Sequence, residues 1–374
     1  MRQFPASPIT ALIDGKPRYN LGESYGRDLT VAELLGPGGL ELLGQLSLGY
    51  GTSAGEPALR ELLAARLGVP ASQILVTAGA GSALFLTALL HGDGEVVLGV
   101  PCFPPMLDAL RGIGSRVVTV RSRFGDGYRI DLGQFAASLS PSTRLVMFAS
   151  PQNPSGTLIT ASEVERMLAA MSRTCPEAFL LIDETYREAT YGDAAPVPSF
   201  AGTSPRVLTC ASLSKAHGAP GLRIGWLTVP GPALYDQLRL AKFNSAISCG
   251  APDEFLAAKL LSRADEILAN RAAFLSEART IAELWIEQHT RHLRWLRPQA
   301  GAFCCAQLNP AIFGPEEITR FHTLLAEHQT AVSEGPWFAD SPNIIRIGLA
   351  YEPLAKLEKG LSIIANALTT ATAK

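Results

Sequence analysis

Residues 74–90 read ILVTAGAGSALFLTALL, and the fold turns on how that run is taken. It is shorter than the roughly 20 apolar residues that cross a bilayer, and Thr, Ser and Gly interrupt it. We read it as a short strand, a turn of small residues at 78–82 and a buried helix. Outward from it the same unit recurs. Apolar runs rich in β-branched residues stand at 73–77, 95–100, 116–120, 143–150, 178–183, 206–212 and 223–229, with helical patterns such as CFPPMLDALRGIG and ASEVERMLAAMSR between several of them. Strands that are apolar on both faces and alternate with helices make a mostly parallel sheet covered on both sides, an α/β fold.

Upstream, EPALRELLAARLG (56–68) has helical spacing closed by Gly68 and Pro70. The first forty residues are rich in Gly and Pro, have no long period, and suit an arm laid over other elements. Downstream, helical periodicity persists from about Asp253 to Gln288 and leads into an α+β unit containing RWLRPQAGAFCCAQL, ITRFHTLLAEHQTAV and NIIRIGLA. The expected division is an arm or part of the small unit at 1–44, a large unit at 45–255, and a connecting helix with a smaller C-terminal unit at 256–374. No internal repeat or low-complexity linker separates them, so the units are expected to pack together.

The 374 residues are 47% hydrophobic, enough for a large core, and 32 Lys+Arg against 34 Asp+Glu leave a formal charge of −2. Scattered basic residues argue against nucleic acid or an anionic membrane face as partner. The opening MRQFPASPIT lacks the apolar core and cleavage site of a secretory signal, so the chain is expected in the cytoplasm. Cys102, Cys175, Cys210, Cys249, Cys304 and Cys305 show no CxxC pair, which leads us to expect reduced thiols and no metal site.

Ligands of open α/β sheets sit at the carboxyl ends of the strands. The loop after 73–77 is Ala78-Gly79-Ala80-Gly81-Ser82 at a helix start, where free N–H groups and the helix dipole favour an anion. A tight turn alone explains it equally well. The dinucleotide fingerprint does not fit, because the third glycine is missing. Asn153 lies in PQNPSGT after the fourth run and Asp183 opens DETYRE after the fifth; singly, these are a turn former and a helix cap. Lys215 follows the sixth run in SLSKAHGAPGLRIGW (212–226), among small residues. A lone lysine is ordinarily a solvated surface charge, but a partly desolvated one beside other cations becomes a nucleophilic amine.

In this order the segments resemble the fold-type I, class I/II aminotransferases that use pyridoxal 5'-phosphate. The resemblance runs from about Tyr50 to Arg346. Its most specific motif, S-x-S-K-x-x-G-x-x-G-x-R-x-G, is matched by Ser212, Ser214, Lys215, Gly218, Gly221, Arg223 and Gly225; N-P-x-G is matched from Asn153, and D-x-x-Y by Asp183 and Tyr186. The family's fold has a large domain with a mostly parallel seven-stranded sheet between helices, and a smaller α+β domain.

The resemblance implies that Lys215 carries the cofactor as a Schiff base and later moves the proton between substrate and cofactor carbons. Asp183 would pair with the pyridine nitrogen, and Asn153 and Tyr186 would donate to the ring oxygen. The phosphate would lie against the backbone of Gly79, Ala80 and Gly81 with Ser212, Ser214 and Arg223. Phe103, in PCFPPM, would stack on the ring where the family has Tyr. Tyr50 would reach the phosphate of the neighbouring subunit in a homodimer with shared sites, although Thr52 replaces the family's Pro in that segment. Arg346 would grip the substrate α-carboxylate, helped by a Gly22 N–H, with Asn153 nearby. Tyr25, Trp337 and Phe338 would border the substrate side chain. Ser24-Tyr25 stands where the family continues with an acidic-proline pair.

The function implied is transfer of the amino group of an α-amino acid to a 2-oxo acid. The same cofactor also runs elimination and cyclisation, so a lyase or an amino-acid cyclase of specialised metabolism is the alternative. A non-catalytic regulatory protein of this fold would need a DNA-binding module, and no basic recognition helix is visible before Tyr50. His217, two residues from Lys215, stays ambiguous, and His289 and His292 read as surface residues.

Overall fold

The computed structural model describes residues 3–373. A two-residue strand, β1 (Tyr19–Asn20), lies in the N-terminal segment. The seven apolar runs become β2 (Ile74–Thr77), β3 (Glu95–Val100), β4 (Arg116–Arg121), β5 (Thr143–Ala149), β6 (Phe179–Asp183), β7 (Val207–Ser212) and β8 (Gly225–Thr228). They form one sheet in the order β2-β8-β7-β6-β5-β3-β4. Every pairing is parallel except the two made by β8. That strand runs backwards because the link from β7 holds only the short turn Pro220–Leu222, too little for a crossover helix.

Alternate residues of the central strands feed two cores. Leu98, Leu145, Met147, Leu181 and Leu208 pack with Leu84, Leu86, Met106 and Leu110 of the helices on one face. Val97, Val146, Phe148, Leu180 and Ile182 pack with Val164, Met167 and Met171 on the other. Each such side chain contributes about 1.5–3 kcal/mol by leaving water. The edge strand β4 is exposed at both ends, although Val117 packs toward one core and Val118 and Val120 toward the other.

A second, antiparallel sheet contains β9 (Leu293–Leu296), β10 (Phe303–Leu308), β12 (Ser333–Glu334) and β13 (Ile344–Gly348), in the order β12-β13-β10-β9. Between them β11 (Thr330–Ala331) pairs in parallel with β1. The N-terminal segment is thereby fastened to the C-terminal part of the chain. The Asn20 N–H donates to Glu352 Oε1 at 2.9 Å and the Gly348 N–H to Leu21 O at 2.7 Å.

Two expectations need correcting. The first forty residues are less irregular than their composition suggests, with helices at Ile9–Gly15, Val31–Leu35 and from Gly39. Thr30 and Glu33 form a reciprocal capping box that starts the second of these, a signal present in the sequence and passed over. The stretch from Asp253 to Gln288 is not one helix: it breaks at Arg263 into Ala251–Ser262 and Ala264–Gln288. Arg263 leaves helical geometry while its guanidinium donates to the carbonyls of Glu33 and Leu34 at 2.9 and 2.7 Å. No helix among the described residues is long and apolar enough to cross a membrane.

Candidate active site

Strands β5, β6 and β7 are adjacent and in register, with Ala149 opposite Asp183 and Asp183 opposite Cys210. The loops that leave their carboxyl ends therefore emerge together, and they carry Asn153, Asp183 and Lys215. Asp183 is buried and accepts from the N–H and hydroxyl of Thr185 at 3.0 and 2.5 Å. Burial pushes its carboxyl above the usual range, against the pull of those bonds and of Lys215. Asn153 is 2% exposed; its Oδ1 accepts from Arg346 Nη1 at 2.8 Å, and its Nδ2 has no partner.

Lys215 is half-buried, and its Nζ donates to Ser24 Oγ at 3.2 Å. The ammonium also sits 5.3 Å from the Tyr25 ring centroid and 6.0 Å from that of Tyr186. Tyr186 is buried, stands edge-on to Phe303 at 4.8 Å, and shares a 2.7 Å hydrogen bond with Ser24. A cavity of about 330 Å³ opens beside Lys215 between Gly26, Leu29, Arg271 and Phe274.

A second cluster forms where β2, β8 and β7 meet. Gly225 of β8 lies opposite Thr77 on one side and Ser212 on the other. Gly79, at φ +77°, starts the helix Gly79–His91, and any Cβ there would lie 2.5 Å from Arg223 Nη2. Ala80 is buried and Gly81 exposed in the same first turn. Ser212 and Ser214 are both buried, the Ser214 N–H pointing at Ser212 Oγ at 3.4 Å. Arg223 is solvent-facing, in left-handed backbone at φ 51°, and bonds only to the carbonyls of Pro220 and Ala78 among the described residues. Hydroxyls, a helix N-terminus and a guanidinium with no carboxylate partner among the described residues would suit an anion.

Arg346, in the middle of β13, faces this edge from the other sheet. It is 3% exposed and has no ion-pair partner among the described residues. Its Nη2 donates to Gly22 O at 2.5 Å and to Ser333 Oγ at 2.9 Å, and its Nε has no partner. Phe303 and Phe338 flank it at 5.3 and 5.0 Å. Burial lowers its pKa, against the pull of Tyr186, Glu23 and Cys305. Gly22 stands beside it, but through its carbonyl; the Gly22 N–H donates to Asn20 Oδ1 at 3.2 Å. Phe103 is half-buried at the start of the helix after β3, and the next-door Cys102 N–H donates to Phe338 O at 3.0 Å.

Tyr50 is not drawn in: it is 85% exposed on its own chain. Tyr25 is half-buried, edge-on to Tyr351 at 5.2 Å, with its phenol pKa raised by burial and by Glu23 and Asp28. His217 is fully buried with neither ring nitrogen hydrogen-bonded. Burial drops its pKa to about 4, so at neutral pH it is an uncharged packing group 3.6 Å from Glu188. Neither His289 nor His292 is fully exposed; His289 stacks on Trp285 at 4.8 Å. Sequence reading gave no site role to Ser24, noted only as a departure from the family, or to Ser333, the first residue of β12.

Pyridoxal phosphate fits these residues. The unpaired Asn153 Nδ2 suits a ring oxygen, the buried Asp183 suits a protonated ring nitrogen, and the glycines at 79 and 225 let Arg223, the helix start and β8 approach one another closely, where a Cβ would hold them apart. Among the described residues no group of His, Cys, Asp and Glu is arranged to hold a metal.

Comparisons with known proteins bear on the family and the fold. The sequence matches the family model described as aminotransferase class I and II over residues 28–364. A capreomycidine synthase of Streptomyces vinaceus is 30% identical over 367 residues, covering 95% of this chain and 88% of its own. An arginine–pyruvate transaminase of Pseudomonas aeruginosa is 30% identical over 332 residues, covering 84% and 82%. A PLP-dependent aminotransferase from Streptococcus suis superposes with a TM-score of 0.88 at 25% identity, covering 100% of this chain and 99% of its own.

Proposed function

The chain belongs to the class I and II aminotransferases, and from that premise we propose how its residues divide the work. It is a pyridoxal-phosphate-dependent enzyme that transfers the amino group of an α-amino acid to a 2-oxo acid. When bound, the cofactor supplies the electron sink that lets the substrate Cα–H bond break. In our reading Arg223, Ser212, Ser214 and the N–H groups at 79–81 hold its phosphate. Asp183 keeps the ring nitrogen protonated, Asn153 Nδ2 and Tyr186 donate to the ring oxygen, and Phe103 lies against the ring. Lys215 would be the amine that holds the cofactor and, once released, takes the α-proton and returns it to the cofactor carbon on the far side of the substrate nitrogen. Arg346 orients the substrate by a two-point grip on its carboxylate, and Tyr25 borders the substrate side chain.

One observation carries this reading: a buried Arg346 with no counter-ion among the described residues, hydrogen-bonded to an Asn153 whose own N–H group is unpaired among them, on the strand-end edge that holds Lys215. The test is spectroscopic. Loaded enzyme should show a visible band that an amino acid bleaches with one equivalent of 2-oxo acid released, and that a second 2-oxo acid restores. An unchanged band in Lys215→Ala would sink the assignment of the amine.

The capreomycidine synthase relative supports a second reading, in which the same site cyclises its amino acid. Consumption of substrate with no 2-oxo acid formed, and a product of higher ring count, would select it. We also propose a homodimer in which Tyr50 crosses to the partner's phosphate. Leu40, Leu42, Leu48 and Tyr50 are all more than half exposed, which supports a surface covered by a second copy. Six free, buried cysteines support residence in a reducing cytoplasm.

A further inference from the structure

We propose that Ser24 is a positioning residue for Lys215, one that holds the amine at a fixed place beside Tyr186. The inference rests on the reading above that Lys215 is the reacting amine. Ser24 is 3% exposed, and its Oγ lies 3.2 Å from Lys215 Nζ and 2.7 Å from Tyr186 OH. It is the only hydrogen-bond partner of that Nζ among the described residues; the other neighbours are the ring faces of Tyr25 and Tyr186.

Hydrogen counting fixes one of the two bonds. A protonated lysine only donates, so Ser24 Oγ accepts from it. In the bond to Tyr186 either hydroxyl can be the donor. One serine oxygen thus holds the lysine nitrogen and the tyrosine hydroxyl at fixed places, and Ser24 carries no proton itself.

The serine is delivered by a stiff segment. Residues 20–22 are tied by Asn20 to Glu352 at 2.9 Å, by Gly348 to Leu21 O at 2.7 Å, and by Ser333 Oγ to Gly22 O at 3.0 Å. Gly348 is pressed so closely that a Cβ there would lie 1.9 Å from Glu23 O. A hydroxyl fixed by its own supports orients its neighbours without paying ordering entropy at each turnover.

The experiment compares loaded Ser24→Ala, Ser24→Cys and Ser24→Thr with the native enzyme. The readouts are kcat, KM, the isotope effect with α-deuterated amino acid, and borohydride trapping of the cofactor on Lys215. Losing one hydrogen bond to the amine should lower kcat roughly three- to tenfold. KM should stay within about twofold, and the isotope effect should rise as proton transfer slows. Cysteine fills the space with a poor acceptor and should behave like alanine; threonine should restore kcat to within about twofold. Trapping at Lys215 should persist in all three. Native kcat and isotope effect in both Ala and Cys variants, or a threonine variant as slow as alanine, would overturn the proposal. Failure of trapping in the native enzyme would instead strike the lysine assignment on which it rests.

Discussion

A single methyl group at Gly225 tests whether the cup between β8 and the helix Gly79–His91 is a phosphate site. An ideal Cβ there would lie 2.5 Å from Ala80 N, 2.5 Å from Gly79 C and 2.7 Å from Ala211 O. All three atoms are backbone, so none can rotate aside. Ordinary contact begins at 3.4 Å, so the helix start must retreat by about 3.4 − 2.5 = 0.9 Å. That turn carries the N–H groups proposed for the phosphate, and a shift of this size breaks a hydrogen bond to a charged group, each worth about 1.5–3 kcal/mol. Gly225→Ala should therefore hold pyridoxal phosphate roughly ten- to a hundredfold more weakly, with overpacking costing about 1–3 kcal/mol of stability. The assay is a dissociation constant from the visible band, run in parallel with pyridoxal, which lacks the phosphate. The penalty should be confined to the phosphorylated form. Equal losses for both, or native retention of the phosphate form, would refute the cup.

Three further outcomes follow from the same geometry. Arg346→Lys leaves acceptors on Gly22 and Ser333 short of donors and removes the two-point grip; KM for the amino acid should rise at least tenfold, while the corresponding decarboxylated amine reacts as it does with native enzyme, and an equal rise for both would contradict the role. His217 is held at about 4 from a normal 6.5, so the unfolded chain takes up a proton in that window that the folded one refuses. Its contribution is complete above pH 6.5 and declines as pH falls toward 4, by about 3 kcal/mol at most; Glu184, raised by burial to about 7, works the other way, losing its share as pH rises from 4.5. Denaturation midpoints of His217→Gln should flatten on the acid side, facing as it does Glu188, Arg66, Arg187 and Arg271, and an unaltered slope would be contrary. Finally, mixing inactive Tyr50→Ala with Lys215→Ala should restore activity, because one hybrid site receives both native residues; no recovery on mixing would argue that Tyr50 serves its own chain.

The strands were legible because they are buried on both faces, which leaves runs like EVVLGV with no polar interruption. Their composition says nothing of direction, so the reversal of β8 was invisible. The loops at the strand ends were legible because Asn153, Asp183 and Lys215 each sit within a few residues of a strand terminus. The break at Arg263 was not, since nothing local to that residue opposes helix; carbonyls some 230 residues earlier in the chain capture its side chain. Ser24 and Ser333 escaped for a like reason, as their partners are Lys215 and Tyr186 for one and Arg346 for the other. The Thr30–Glu33 cap was plain local chemistry, overlooked in a segment judged by its glycine and proline content.

The bond between Arg346 and Asn153 joins the two sheets at one amide. In the proposed assignment that amide answers to two masters, its oxygen to the guanidinium and its free N–H to the cofactor's ring oxygen. A carboxylate arriving at Arg346 draws the guanidinium's charge toward itself, and the amide's donor strength changes with it. Linkage makes the effect mutual: whatever tightens the cofactor's hold on Asn153 must alter the affinity for substrate by the same factor. In that assignment one amide would couple the two binding events at opposite ends of the site.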